Sequence, residues 1–139
     1  MPNPPVLQLR RLFWVGPLTV LASIIGVLVV RILTVLMLRP NPEPISLGWM
    51  APTIFTLVLV TGGVLVFAVV ARFAKPLIRT YQVIAFVFLL ISFIPDIGFA
   101  RSTMPGANWP TAIALMIMHI VAWAITVTML PKLTTSISN

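Results

Sequence analysis

The chain contains four long apolar runs separated by short polar segments, and this pattern restricts its fold more than any other feature. A helix that crosses the hydrocarbon core of a bilayer needs about 20 predominantly apolar residues. Hydrophobic residues make up 60% of the 139 residues and charged residues 8%, which leaves too little polar surface to cover a water-soluble globule. The sequence therefore predicts an all-α integral membrane protein, a bundle of four transmembrane helices.

The predicted spans follow from the apolar runs and from the prolines between them. They cover about residues 12–38, 49–71, 80–98 and 110–130 of a single transmembrane domain over residues 1–139. Prolines alternate with other residues over 40–44, so this segment cannot continue a helix and is expected to be an exposed loop. Pro131 is expected to end the fourth span, because a proline disrupts a helix at its own position.

The net charge of +7 comes mainly from Lys and Arg residues at the ends of the apolar runs. Basic residues in these positions indicate the orientation of a membrane protein rather than a nucleic-acid-binding surface. One side of the predicted bundle holds Arg10, Arg11, Arg72, Lys75, Arg79 and Lys132. The other side holds Arg39 and Arg101. The positive-inside rule therefore predicts a multi-pass protein of the inner (plasma) membrane with both termini in the cytoplasm.

Three ionisable residues of the apolar runs fall at similar predicted depths. Arg31 lies about 12 Å, and His119 about 13 Å, inside the outer ends of their spans. Asp96, one of two acidic residues in the chain, lies nearer the outer end of the third span, with Ser92 one turn below it on the same helical face. Ionisable groups at membrane depth usually face a bundle interior or a cavity. The sequence predicts a polar cluster of Arg31, Ser92, Asp96 and His119, as a ligand site or a structural element.

Several roles for these residues remain open. Arg31 and Asp96 pair so that neither meets lipid, or Arg31 extends to the outer headgroups. His119 is a neutral imidazole in an interhelical hydrogen bond, or Asp96 and His119 are candidate catalytic residues in proton transfer. One histidine and two acidic residues do not match the three protein ligands of a typical catalytic metal site, so no metal is predicted.

Two further features fit either packing or a pocket. The paired glycines of Thr61-Gly62-Gly63 allow another backbone to approach closely. On the fourth run Met116, Met118, Trp123 and Met129 either line a lipophilic pocket or serve as ordinary packing.

Two short motifs resemble those of a known family. Ser92-Phe93-Ile94-Pro95-Asp96 in the third run and Leu115-Met116-Ile117-Met118-His119 in the fourth are similar to the signature of small four-span bacterial membrane proteins of unknown function. The resemblance covers about residues 12–130. It implies the four-helix architecture and directs attention to Asp96 and His119, and it supplies no substrate.

The leading functional hypothesis is an accessory or scaffold subunit that packs against partner membrane proteins or a second copy of itself, within membrane lipids and without nucleic acid. The alternative is an intramembrane enzyme or binding protein for a quinone, isoprenoid or carotenoid, which would be its bound lipophilic molecule; no other cofactor is identified. A dimeric transporter is a third hypothesis, against which stands the lack of an acidic residue at mid-membrane. The sequence leaves enzymatic activity open.

Overall fold

A computed structural model describes residues 6–136, and four helices within them are long and apolar enough to cross a membrane. The helices are α1 (Leu12–Leu38), α2 (Met50–Phe73), α3 (Leu77–Ala100) and α4 (Trp109–Thr134). They pack together, which confirms the predicted all-α membrane bundle. The predicted domain over residues 1–139 includes residues 1–5 and 137–139, which lie outside the described part of the chain.

Helix α4 begins at a capped residue and ends later than predicted. The Asn108 side chain accepts a hydrogen bond from the Thr111 N–H at 2.8 Å, a typical N-cap. The prediction that Pro131 ends the span was wrong, because the helix continues to Thr134. A proline in the last turn removes one backbone donor. At the end of the helix, the Leu130 carbonyl accepts a hydrogen bond from Thr134 Oγ1.

The helices are packed unevenly around α4. Helix α1 packs along α2 and α4, and α3 packs along α4, whereas α2 and α3 make few contacts with each other. At Gly26 of α1, an added Cβ would lie 2.9 Å from Ile125 Cδ1 and 3.0 Å from Val121 Cγ1 of α4. Side chains of α4 therefore pack directly against the α1 backbone at this glycine. The bundle is tight along the α1–α4 seam and open between α2 and α3.

Two loops meet at one end of the bundle, which we call the loop end (residues 39–49 and 101–108). Gly106 has a φ of +76°, a conformation that glycine adopts at little cost. A Cβ at this position would lie 2.8 Å from Pro44 Cβ, so the two loops are in direct contact. The loop end is therefore a folded cap over the helices.

The opposite end, which we call the terminal end, brings the two ends of the described chain together. A two-residue strand β1 (Val6–Leu7) pairs antiparallel with β2 (Thr135–Ser136). The Gln8 N–H also donates to the Thr134 carbonyl at 2.9 Å. The short connection between α2 and α3 lies at this end, so successive helices alternate in direction.

Buried apolar side chains form two clusters. The cluster toward the terminal end contains Val15, Phe67, Val70, Tyr81, Val127 and Leu130. The cluster toward the loop end contains Val27, Leu47 and Met118. Many other large apolar side chains are exposed on all four helices. Such outward-facing apolar surface suits contact with lipid chains.

Candidate functional site

Asp96 lies in the last turns of α3 and is buried, with 6% of its surface exposed. Pro95 precedes it inside the helix, and the helix nevertheless continues to Ala100. A buried carboxylate at membrane depth is costly unless a cation faces it or it takes up a proton. Whether Asp96 carries a charge therefore depends on the side chain that faces it.

The facing side chain is His119 of α4. Its Nε2 lies 3.3 Å from Asp96 Oδ2. Asp96 Oδ2 is buried and makes no geometrically acceptable hydrogen bond within the described residues, so the two groups are close without being aligned. A protonated imidazole at this distance would balance the carboxylate charge. We call Asp96 and His119 the polar pair.

Ser92 lies one turn before Asp96 on α3, as its position in the sequence indicates. Its hydroxyl donates to the Leu89 carbonyl of the same helix at 2.7 Å. This bond satisfies the hydroxyl locally, as is common for serine within helices. Ser92 therefore lies one turn from the polar pair, with its hydroxyl bonded to its own helix.

The structure places Arg31 in a different contact from the predicted one. Arg31 Nη2 lies 2.7 Å from Glu43 Oε1, and Arg31 Nε donates to the Leu47 carbonyl at 2.7 Å. The guanidinium carbon also lies 3.9 Å from the centroid of the Trp49 ring, within cation–π distance. Within residues 6–136, Arg31 pairs with Glu43 and Asp96 is faced by His119, so no Arg31–Asp96 ion pair forms.

The physical reason for this difference is the loop between α1 and α2. Equal depth in two helices does not specify the direction in which each side chain points around its helix. The segment 40–44 is a loop, as predicted, with residues 41–43 exposed and Pro44 buried. It folds back over the loop end and brings Glu43 to Arg31. The Arg31 guanidinium is thereby neutralised within its own helix–loop unit.

A cleft of about 420 Å³ lies between α2, α3 and α4, at the open side of the bundle. Its walls are mostly apolar, with Gly62 and Gly63 on α2. The side chains on its wall that carry polar atoms are Tyr81, Ser92, His119, Trp123 and Thr126. His119 thus belongs both to the polar pair and to the cleft wall.

Two polar groups of this wall are buried without a partner. Tyr81 is 1% exposed, its ring is fixed by an edge-to-face contact with Phe67 at 4.9 Å, and its hydroxyl makes no hydrogen bond in the described part of the chain. The Trp123 Nε1 atom is also buried and unpaired there. By contrast, the Thr126 hydroxyl donates to the Ala122 carbonyl at 2.7 Å. Both unpaired atoms are covered by neighbouring side chains, so His119 is the polar side chain that links the cleft wall to the polar pair.

A second groove, of about 690 Å³, runs between α1 and α2. Its wall is formed by apolar side chains such as Phe13 and Leu21, with Thr61 as the one hydroxyl among the lining residues. None of its lining residues carries a buried unpaired polar side-chain atom. Its chemistry is that of an ordinary lipid-facing surface, so the cleft is the stronger candidate site.

Two residues of these contacts were not singled out from the sequence. Glu43 is the second of the two acidic residues in the chain, so the sequence contains two possible carboxylate partners for Arg31. Tyr81 is the only tyrosine, and a Cβ added at Gly63 would lie 3.6 Å from its hydroxyl. Within residues 6–136, no three His, Cys, Asp or Glu side chains converge as metal ligands would.

Comparison with known proteins identifies a family and no characterised relative. Neither the curated proteins nor the solved structures give a significant match to the chain. The model of a family of unknown function, DUF6069, matches residues 4–136, which include both short motifs of the third and fourth helices. The predicted resemblance to an uncharacterised four-span family is confirmed, and the chain belongs to family DUF6069.

Proposed function

We propose that this membrane protein binds a lipophilic small molecule in the cleft between α2, α3 and α4. The observation that carries the proposal is the cleft itself, whose wall holds an imidazole backed by a buried carboxylate. Its volume of about 420 Å³ falls within the usual range for small-molecule sites, roughly 300–1,000 Å³. Mostly apolar walls with a few convergent polar groups are typical of such sites.

The polar pair gives one part of the cleft a distinct chemistry. His119 lies on the wall, and Asp96 lies behind it in the last turns of α3. An imidazole can donate or accept a hydrogen bond. In the proposed role, His119 contacts a polar atom of the ligand, and Asp96 orients the imidazole and balances its charge.

The distribution of basic residues supports an orientation for this site. Arg72, Lys75 and Arg79 lie near the terminal end, whereas Arg39 and Arg101 lie in the loop end. Under the positive-inside rule, the terminal end faces the cytoplasm of a bacterial inner membrane. The polar pair then lies toward the outer side of the membrane.

The accessory-subunit hypothesis stays a prediction beside this proposal. Exposed apolar side chains on all four helices suit lipid as well as they suit a partner helix, so they do not favour a protein partner. The cleft is the more specific feature, because ordinary lipid-facing surface does not require an imidazole–carboxylate pair. Ligand binding therefore takes first place, and a catalytic role for Asp96 and His119 would build on it.

A pair of glycine variants tests the proposal. An added Cβ meets no atom within 4 Å at Gly62, which lines the cleft, or at Gly98, which does not. Gly62→Leu would therefore fill part of the cleft, while Gly98→Leu would place the same side chain elsewhere. Wild-type protein and both variants are purified in a mild detergent, and the bound small molecules are extracted and measured by mass spectrometry.

We expect a lipophilic molecule to co-purify with the wild-type protein and with Gly98→Leu, and to be lost from Gly62→Leu at equal folded yield. Equal amounts in both variants would show that the molecule binds outside the cleft. A stoichiometric protein partner, retained by both variants without a small molecule, would instead support the accessory-subunit hypothesis.

A further inference from the structure

We infer that the groove between α1 and α2 holds an acyl chain of an anionic phospholipid, whose phosphate lies between Arg10 and Arg72 at the terminal end. This groove shares no lining residue with the cleft, and the inference does not depend on a ligand there. The evidence is the chemistry of the groove, its depth relative to the membrane interface, and the charges at its mouth.

The groove is apolar along its length, as an acyl chain requires. Its volume is about 690 Å³, and its lining residues include no charged side chain and a single hydroxyl, that of Thr61. Phe13 and Leu21 on its wall are 84% and 56% exposed, so the groove opens sideways toward the surrounding lipid. A lipid tail can therefore enter it from the bilayer without crossing water.

The groove extends from the membrane interface to the middle of the bilayer. Trp14, which is 54% exposed in the first turn of α1, marks the interface at the terminal end, because indole rings collect at headgroup level. The groove begins beside it at Leu12 and reaches Ile24, which lies ten residues or about 15 Å deeper than Trp14. This depth is half of the roughly 30 Å hydrocarbon core, the thickness that the chains of one leaflet occupy.

Two arginines flank the mouth of the groove at similar heights. A Cβ added at Gly16 would lie 3.1 Å from Val64 Cγ1, so these two positions share a level in the antiparallel helices α1 and α2. Toward the terminal end, Arg10 lies about 9 Å beyond Gly16, and Arg72 lies about 12 Å beyond Val64. Arg72 also follows Thr61 by eleven residues, about three turns, so it lies on the groove-facing side of α2.

Both arginines are available to an anion. Their side chains are exposed, and neither forms an ion pair within residues 6–136. The two acidic residues of the chain are Glu43 in the loop end and Asp96 in the last turns of α3, so no acidic side chain competes at the terminal end. Guanidinium groups bind phosphate oxygens in bidentate geometry. A basic mouth above an apolar groove therefore favours a phospholipid with a net negative charge over a zwitterionic one.

The same charges argue against a second copy of the chain as the occupant. Two copies that packed through this groove with the same membrane orientation would form a symmetric interface, in which each surface meets itself. The arginines of both copies would then approach each other at the terminal end, and like charges across an interface are unfavourable. An anionic lipid avoids this cost.

The test measures lipid binding to the purified full-length protein by native mass spectrometry from detergent micelles. The probes are dioleoylphosphatidylglycerol, which is anionic, and dioleoylphosphatidylcholine, which has the same acyl chains and no net charge. Arg10→Gln/Arg72→Gln removes both charges at the mouth. Arg79→Gln/Lys132→Gln is the matched control, since it removes two exposed charges from α3 and α4 near the same end.

A second pair of variants tests where the acyl chain lies. Thr61→Phe places a ring in the groove from an exposed position of α2. Thr128→Phe places the same ring on an exposed position of α4 that lines neither the groove nor the cleft. The melting temperature of each variant shows that it is folded.

We expect the wild type to bind one phosphatidylglycerol about 25-fold more tightly than phosphatidylcholine, about fivefold for each arginine. Arg10→Gln/Arg72→Gln should lose this preference and keep its Kd for phosphatidylcholine, whereas the preference of Arg79→Gln/Lys132→Gln should fall by less than about threefold, because exposed charges at a distance are screened. Thr61→Phe should weaken the binding of both lipids, since its ring takes the place of the chain. Thr128→Phe should weaken neither.

Several outcomes would contradict the inference. Equal affinity of the wild type for the two lipids would show that the mouth does not select an anion, and equal losses in the two charge variants would assign the preference to the whole terminal end. Unchanged lipid binding in Thr61→Phe would place the chain outside the groove. A wild-type dimer that Thr61→Phe converts to a monomer would make a second copy the occupant. None of these results bears on the proposed function, which depends on the cleft and on Gly62→Leu.

Discussion

The guanidinium of Arg31 lies 2.7 Å from the carboxylate of Glu43, and this ion pair fastens the α1–α2 loop to the side of α1. The two partners differ in environment, because the Arg31 side chain is 9% exposed and that of Glu43 is 40% exposed. Breaking the pair would therefore cost the buried guanidinium more than the carboxylate, which water can still solvate. Its bond to the Leu47 carbonyl and its contact with Trp49 hold the same loop.

We expect Glu43→Gln to lower the free energy of unfolding by roughly 1–2 kcal/mol. Fully buried pairs lose about 3–5 kcal/mol when one partner is removed, and exposed pairs lose about 0–1 kcal/mol, so a half-exposed partner falls between them. The measurement is reversible unfolding by sodium dodecyl sulfate in mixed micelles.

A double-mutant cycle separates this pair from the one predicted from the sequence. Arg31→Gln and Glu43→Gln should be non-additive, whereas Arg31→Gln and Asp96→Asn should be additive within about 0.5 kcal/mol. Additive effects for the first combination would contradict the Arg31–Glu43 pair. Non-additive effects of Arg31→Gln and Asp96→Asn would instead support the Arg31–Asp96 pair predicted from the sequence.

The sequence predicted the fold well because membrane spans depend on a long, simple pattern. Apolar runs of bilayer length give four helices almost independently of packing, and the bounds of α1 match the prediction. Pro131 was expected to end the span because a proline removes one backbone hydrogen bond, yet the loss of that bond did not end the helix, which runs to Thr134. Local hydrogen bonds at a helix end are not visible in hydropathy.

The candidate site was predicted less completely, since depth along a helix is only one of the coordinates that bring side chains together. Asp96 and His119 meet in the structure, but Arg31 turns to Glu43, which lies in the loop between α1 and α2. Tyr81 was not singled out from the sequence. It lies on the wall of a cleft that exists only because α2 and α3 pack loosely.

Reporter fusions test the proposed orientation. A reporter joined after Asn139 should give a cytoplasmic signal, because the basic residues at the α2–α3 connection and near both termini favour the inside. A fusion within residues 101–108, at the loop end, should give the opposite signal. If the C-terminal fusion reports the outer side, the polar pair lies toward the cytoplasm instead.

The close approach of α1 and α4 makes Gly26 sensitive to substitution. Gly26→Leu should destabilise the bundle by about 1–3 kcal/mol, because its Cβ would already lie 2.9 Å from Ile125 Cδ1 and 3.0 Å from Val121 Cγ1, so the leucine would overpack the seam and displace these side chains. Gly98→Leu is the matched control, since its added Cβ meets no atom within 4 Å. Unfolding in mixed micelles measures both, and equal stability of the two variants would contradict the tight seam.

The final prediction separates structural from chemical use of His119, which lies 3.3 Å from Asp96. His119→Leu leaves the buried carboxyl without a polar neighbour and should lower the free energy of unfolding by roughly 1–2 kcal/mol, the upper range for interhelical polar contacts. Adding Asp96→Asn should recover part of that loss, because the amide carries no charge to be compensated.

His119→Gln keeps a donor and an acceptor without titrating, so folded yield should stay near that of the wild type. If well-folded His119→Gln also keeps the co-purified lipophilic molecule, His119 contributes only a hydrogen bond. Loss of that molecule from the folded variant would show that binding requires the imidazole itself, and would make proton exchange with the ligand the next property to measure.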